Sequence, residues 1–595
     1  ERTRVQTRTT RILMYKLEGI EVKGKYIIQV SSQEGKSNRN IRRTLGRRLV
    51  ESGISKEVVD FIIKRVMIVY KKNWSVEDAY TNNAWFMRSV EFDRLYKETS
   101  EGNEEEQMLC ERCEREGLQH IEVWRKMGEM KYRHAKSMIK PAVDEGVDEE
   151  IEKTVGEIVN RGRKREVKRK KIELDVSELE NKKGDLVTNL DKKNSIVMMV
   201  CRECMIRQVL SLFKVGCEYR YVGNDRECIG IVRGRNAKLV KELGIERLGG
   251  KRFKSGNRLP YAYVLPKGKY FGGHGKVTEF KSRPIVSATT SDLHDIFSVA
   301  GKLLFWLIEQ YIAVERKEFI LLKMVDLRRF IEDQGERRKN ERNQFDYLVT
   351  MDVESLYTKL QHEEITRSVA WFMKRMREIL EEDIVSFRRK NDGRLHFYPG
   401  EKTPRKGGSL SLQHLGEIIK FSLQNAYFTV GNAVLQQVNG IPMGGSLSPG
   451  IAIIYLMFCE LKWKRKVQRK NWKFSFCRYM DDVLFIFYGG TTEETREEIL
   501  QSFRECYGVN LNVKTEMFGT SVDYLEAVIY LSEGAIQMKF NLHKGQSMAL
   551  KYRSYRDSGY AHMRKSILIG LLHRVGRNTL QEQDMLSLVR EIRRV

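Results

Sequence analysis

The stretch RYMDDVLFIF, residues 478–487, places two adjacent carboxylates, Asp481 and Asp482, in a mainly apolar run. Like charges so close repel and raise each other's pKa. A hard divalent cation relieves that repulsion, because it takes oxygen ligands from one or two carboxylates plus substrate phosphates. Phe474 and Phe476 lead in with strand alternation, Met480-Asp481-Asp482 form a tip, and Val483 to Phe487 return, which predicts a tight hairpin. Taken alone, the pair fits a metal-holding turn and also an ordinary turn, where Asp is common.

Upstream, FDYLVTMDVESLYTKL (345–360) ends an apolar strand on Asp352. If tertiary structure unites it with Asp481 and Asp482, three carboxylates surround a two-cation site for in-line displacement at an α-phosphate. Tyr357, five residues on, is placed to press on a nucleotide sugar and exclude a 2′-hydroxyl; simple packing is its other reading. Between the two acidic segments lies QQVNGIPMGGSLSPGIAIIYLMF (436–458), where Gly440, Gly444 and Gly445 permit close backbone approach. Ser448-Pro449 predicts an N-cap followed by Pro at the first helical position. Lys462, Lys464, Arg465 and Lys466 then complement the helix's negative end. LPKGKYFGGHGKVTEFKSRPIVS (265–287) reads as a basic hairpin whose Lys267, Lys269, Lys281 and Arg283 suit a triphosphate. Lys514, after a strand in NLNVKTE, is a candidate to approach the leaving pyrophosphate.

In the wider chain, 107 Lys and Arg stand against 80 Asp and Glu, a net charge of +27 and a pI near 9.5. That surplus favours a polyanionic partner, nucleic acid before membrane. Hydrophobic residues at 41% suffice for real cores. No uninterrupted apolar run approaches the ~20 residues of a membrane span, and GIAIIYLMFCEL (450–461) is too short. The opening ERTRVQTRTTR carries no secretory signal, and its lack of an initiator Met suggests a fragment or a processed chain. Nine Cys without secretory features read as reduced intracellular thiols. The pairs Cys110/Cys113 and Cys201/Cys204 lie too far apart for a usual zinc knuckle, and thiols are the better reading.

Only Pro141 of eight prolines precedes residue 260, so the first part can run in long helices. Residues 40–98 carry the amphipathic series Val58, Val59, Phe61, Ile62, Ile63, Val66 and Ile68. RGRKREVKRKK (161–171) reads as a nuclear localisation signal, a nucleic-acid patch or a solvated helix face. From about 185, apolar strand-like runs (196–200, 261–266, 347–353) alternate with helices, which implies an α+β core.

The ordered set KSRPIVS, MDVESLYT, Q-x-x-G-x-P-M-G-G-S-L-S-P, RYMDD and VKTE resembles the core of a reverse transcriptase. Its wording is similar to Penelope-like retroelements, as is LDKKNSIVMM at 190–199. HKGQSMALKYRSYRDSGYAHMRKSILIGLLHR (543–574) resembles that family's thumb through Ser558, His562, Gly570 and Arg574. The resemblance covers roughly 185–580. It implies a right-hand polymerase: fingers at 185–345, palm at 346–530, helical thumb at 535–595, and a mainly helical, charged N-terminal extension at 1–180. It also implies metal binding by Asp352, Asp481, Asp482 and the Val353 carbonyl, with two Mg²⁺ ions or Mn²⁺ in their place, and a nucleotide pocket lined by Tyr357, Gln437 and Gly440. The family's P-K-x-H-K element lacks its His here, and no GIY-YIG endonuclease is visible at the C-terminus. Either the chain is truncated or it is of an endonuclease-lacking lineage that uses free 3′ ends.

The implied partners are an RNA template, a DNA primer or target DNA, and dNTPs, with no membrane and an intracellular, nuclear location. Lys551, Arg553, Arg564, Lys565 and Arg574 are the thumb residues expected to grip the duplex backbone. The first 180 residues are expected to bind RNA or to brace the fingers. Alternatives are a telomerase-like or domesticated cellular reverse transcriptase, an RNA-dependent RNA polymerase, and an inactive RNA-binding scaffold. Template, primer source and oligomeric state stay open.

Overall fold

The computed structural model describes most of residues 185–542 and 561–594, with short breaks and one longer one at 268–280. Before residue 185 it describes 14–17, 20–23, 26–31, 38–51, scattered positions to 63, 66–71 and 90–99. The chain divides into two units, one drawn from 1–82, 121–187 and 558–561, the other from 83–120, 188–557 and 562–595.

In the first unit, the helix Asn38–Glu51 buries Leu45 and Leu49. Strands Met14–Leu17 and Ile20–Lys23 pair antiparallel, and Tyr26–Ser31 pairs parallel with Val66–Lys71. The sequence reading carried an amphipathic helix through Ile68; at Val66-Met67-Ile68-Val69-Tyr70 the chain is a strand instead. Branched and aromatic side chains in succession favour the pleated backbone over the helix. The basic run at 161–171 and Cys110/Cys113 lie outside the described residues.

The second unit is built on a five-stranded sheet. Its strands in chain order are β1 (Ile320–Leu321), β2 (Phe345–Glu354), β3 (Phe474–Tyr479), β4 (Asp482–Tyr488) and β5 (Asn512–Gly519), and their order in space is β1-β3-β4-β2-β5. Only the β1–β3 pair is parallel. Strand β4 is buried on both faces, which is why it reads as an unbroken apolar run. Val483, Phe485 and Phe487 enter one core, and Leu484 and Ile486 enter another. The first core holds the helices His294–Glu315, His362–Leu380 and Ser448–Val467. There Trp463 meets Phe474, Phe476, Phe485 and Phe503 with ring centroids 5.1–6.4 Å apart. The second core is closed by the helix Met324–Glu341 and by a three-stranded sheet, β6 (Ser521–Tyr524), β7 (Ala527–Ser532) and β8 (Ala535–Phe540). These burials are the main stabilising term, at roughly 25 cal/mol per Å² of apolar surface removed from water.

The helix His294–Glu315 is long and apolar enough, by length and composition, to cross a membrane. Its sequence is not an uninterrupted apolar run, since Lys302 and Glu309 stand within it. Leu303, Leu304, Leu307 and Ile308 are wholly buried in the first core.

A second five-stranded sheet has the order Tyr219–Asn224, Ala433–Gln437, Tyr427–Val430, Tyr261–Pro266, Ser282–Ser287. The strands Ile384–Arg389, Leu395–Pro399 and Gly407–Ser411 form an insertion between the helices His362–Leu380 and Leu412–Gln424, packed on the first core through Val385, Phe387, Phe397 and Leu410. Past β8, the helices Ala561–Arg577 and Glu582–Arg594 pack Leu571 and Val575 against Phe540 and Leu542.

Candidate active site

The hairpin tip lies between β3 and β4, with Tyr479 paired to Asp482. Met480 takes φ 54, a left-handed conformation that costs an L-residue roughly 1–2 kcal/mol. Tertiary bonds hold it there: Arg478 Nη1 donates to the Met480 carbonyl at 3.0 Å. The N–H of Val353 donates to the Asp481 carbonyl at 3.0 Å.

Strand β2 runs between β4 and β5, and its register brings the carboxylates together. Asp352 stands directly opposite Asp482 on one side and Lys514 on the other. Direct cross-strand partners share a face, with Cβ atoms about 4.5–5.5 Å apart. The row Asp482–Asp352–Lys514 therefore crosses three strands on one face, with Asp481 at the turn beside it. The three carboxylates are half-buried and Lys514 is exposed. A register irregularity between Thr350 and Met351 precedes this alignment on the β5 side. Among the described residues no three His, Cys, Asp or Glu side chains gather into a self-contained metal cage. An all-oxygen donor set of two or three carboxylates and backbone carbonyls fits Mg²⁺, which completes its shell with water and substrate phosphates.

Tyr357 lies in the single helical turn Leu356–Lys359 after β2. Its phenol is pushed up to about 12, first by burial and then by the negative Asp481, with Arg283 opposing. It therefore feels both an acidic-turn residue and the strand Ser282–Ser287. The glycine loop is stitched to the same turn: Ile441 N–H donates to the Tyr357 carbonyl at 2.6 Å, and Gly440 N–H to Leu360 at 2.7 Å. Gly440 has φ +75, and a Cβ there would run into the Tyr357 carbonyl and come within 2.7 Å of the Thr358 carbonyl. Only glycine fits. His362 Nε2 lies 2.7 Å from the Gly440 carbonyl, so the ring nitrogen donates. Gln437 is buried, and its Oε1 has no hydrogen-bond partner.

On the loop's other side, Val286 N–H donates to the Met443 carbonyl at 2.7 Å, and a Cβ on Gly444 would sit 2.6 Å from the Val286 carbonyl. Ser448 departs from the sequence expectation of an N-cap. Its Oγ donates to the Pro442 carbonyl at 2.7 Å, and the helix cap is Leu447 without a side-chain bond. Closing the glycine loop on itself outcompetes capping, because that loop leaves a nearby carbonyl to satisfy.

Arg283 Nε lies 3.0 Å from Asp191 Oδ2, an ion pair without the alignment of a hydrogen bond. Nothing in the sequence around Asp191 announces this pairing. Lys269, Lys551 and Arg553 lie outside the described residues. Arg564 and Lys565 fall on the helix Ala561–Arg577, where only the backbone is described. Arg574 is exposed, 3.5 Å from Glu526. The described site residues thus gather around β2, the hairpin tip and the glycine loop.

Residues 280–528 match the family model described as reverse transcriptase (RNA-dependent DNA polymerase). Residues 280–528 form a reverse transcriptase domain. The fold is α+β with a right-hand polymerase core, and its activity is RNA-directed DNA polymerisation. A reverse transcriptase works with nucleic acid, dNTPs and divalent metal.

Among solved structures, Candida tropicalis telomerase in complex with a TWJ fragment of telomeric RNA shares 14% identity at TM-score 0.46, over 96% of this chain and 83% of that one. Apo telomerase from the same organism shares 14% at 0.43, over 91% and 82%. The BmCPV RNA-dependent RNA polymerase at its elongation state shares 13% at 0.33, over 62% and 30%. Likenesses this distant carry no argument about what the reverse transcriptase copies. No curated protein matches the chain significantly.

Proposed function

We propose that the reverse transcriptase serves a Penelope-like retroelement, copying an RNA template from a DNA primer with Asp352, Asp481, Asp482 and the Val353 carbonyl as its metal ligands. The observation that carries the site is the register of Asp352 against Asp482, with Asp481 tied back to Val353. The family reading rests on the wording of MDVESLYT, MGGSLSP and RYMDD.

Two Mg²⁺ ions bound there, or Mn²⁺ in their place, would acidify the primer 3′-hydroxyl and stabilise charge on the reacting phosphate. Asp352 and Asp482 hold their charges toward the reacting phosphate from facing strands. Tyr357 packs against the sugar and leaves no room for a 2′-hydroxyl. Gln437 turns its Nε2 toward Gly440, where a Cβ would come within 2.8 Å of it, and its Oε1 is left unpartnered for the nucleotide pocket. Lys514 supplies positive charge beside Asp352 for the leaving pyrophosphate. Arg283, together with Lys269, holds the triphosphate. In this reading 185–345 serves as fingers, 346–530 as palm and 535–595 as thumb. Lys551, Arg553, Arg564, Lys565 and Arg574 then face the duplex, and the protein works in the nucleus.

Extension of oligo(dT) on poly(rA) with Mg²⁺ and dTTP tests the reaction, and comparison of dTTP with UTP tests the sugar choice. Equal use of the two would overturn the role of Tyr357. Dispersed genomic copies of the reading frame are the result expected of a retroelement, and a single copy at one fixed locus would count against it.

A further inference from the structure

The acidic turn is held by more than its own hairpin. Three consecutive carbonyls, those of Met480, Asp481 and Asp482, each accept a bond from a different strand. Arg478 Nη1 on β3 reaches Met480, Val353 N–H on β2 reaches Asp481, and the Tyr524 hydroxyl on β6 reaches Asp482 at 2.9 Å. Arg478 and Glu460 are both wholly buried. The guanidinium makes a two-pronged bond to the Glu460 carboxylate, Nε to Oε1 and Nη2 to Oε2 at 2.9 Å. The Tyr507 hydroxyl adds a bond to Glu460 Oε1 at 2.6 Å. Tyr507 in turn accepts at its carbonyl from the Tyr455 hydroxyl at 3.1 Å.

A buried ion pair is a poor source of net stability, because desolvation offsets most of its attraction. This one spends its third nitrogen, Nη1, on the backbone of the carboxylate turn. The left-handed Met480 needs such a tie, since its backbone conformation is unfavourable alone. Tyr524 is also wholly buried, and its ring needs no hydroxyl to fill the second core.

We propose that Arg478, Glu460, Tyr507 and Tyr524 are positioning residues: a buried frame that presets the 480–482 backbone so that the two Asp side chains meet the reaction in one geometry. The frame touches neither substrate nor cation and acts through the turn. The inference rests on the metal-ligand reading of Asp481 and Asp482.

The test uses the full chain with Tyr524→Phe, the paired replacement Arg478→Met with Glu460→Met, and Asp481→Asn as reference. Four quantities are read. They are single-turnover extension rate, dNTP KM, template–primer affinity without divalent ion, and Mn²⁺ binding by EPR on a complex with a 3′-deoxy primer end. Loss of one neutral hydrogen bond in Tyr524→Phe is expected to slow extension about tenfold and weaken Mn²⁺ binding. Its melting temperature is expected to fall by only about a few degrees, and its dNTP KM and duplex affinity are expected to hold. The paired replacement is expected to slow extension further while staying folded, as apolar replacements of buried ion pairs commonly do. If it does not fold, Tyr524→Phe alone decides. Wild-type rate and Mn²⁺ affinity in Tyr524→Phe would overturn the frame. An active Asp481→Asn would instead overturn the ligand reading beneath it.

Discussion

Asp352 and Asp482 occupy directly opposed positions on adjacent antiparallel strands, so their carboxylates leave the sheet on one face. Two like charges so placed repel, and a cation held between them relieves that repulsion. Asp352→Asn or Asp481→Asn is therefore expected to abolish primer extension while leaving template–primer binding intact. Each removes a share of several kcal/mol of transition-state stabilisation, which converts to roughly a thousandfold in rate. Gel-based extension beside fluorescence anisotropy on a labelled duplex measures both, and a variant extending at the wild-type rate would sink the assignment.

Gly440 sits at φ +75 against the carbonyls of Tyr357 and Thr358. Gly440→Ala must push the glycine loop off that turn. The expected result is a rise in dNTP KM of at least about tenfold and a stability loss of about 1–3 kcal/mol, read by steady-state kinetics and thermal melting.

Tyr357 packs against the first core and lies within the electrostatic reach of Asp481 and Arg283. Tyr357→Val opens space beside the sugar. It is expected to raise UTP incorporation relative to dTTP by roughly 10- to 100-fold, the range a packing contact provides, with little change in dTTP use. Paired incorporation assays give the ratio directly.

His362 is half-buried, and that burial lowers its pKa below the usual 6.5 despite its bond to the Gly440 carbonyl. The unfolded chain therefore binds this proton more readily than the folded one. The contribution is present in full above pH 6.5 and is lost as pH falls through the depressed folded value. Thermal melts from pH 8 to 5 should show the wild type losing stability faster than His362→Gln. Parallel curves for the two would remove His362 as the cause.

Much of this site is visible in the residues themselves. Strand β2 announces itself because an apolar run ends on Asp352, and the hairpin because aromatic alternation brackets Asp481-Asp482. Gly440 is legible as a close approach, though not which carbonyls it approaches. The Arg478–Glu460 pair is not legible. Glu460 stands in a helix ending in Lys462, Lys464 and Arg465, where a lone acid reads as part of a solvated face. Only packing of that helix beneath the hairpin buries it. Ser448 misled for a related reason: cap chemistry is local, while the competing Pro442 carbonyl is supplied by the loop's fold. Tyr524 is one aromatic among 25 tyrosines until β6 folds over the turn.

The spatial order β1-β3-β4-β2-β5 also sets a timetable for synthesis. Strand β2 is made first among the long strands, yet both its neighbours, β4 and β5, come more than a hundred residues later. At about 5–20 residues per second of translation, β2 waits on the order of ten seconds for its partners. Throughout that interval the partners of Phe345, Leu348, Val349, Met351 and Val353, which fill cores on both faces of the folded sheet, are not yet made. Such a strand invites pairing with other nascent chains. Cellular yield of this polymerase should therefore depend on holding chaperones, and the row Asp482–Asp352–Lys514 is complete only once β5 has emerged and paired with β2.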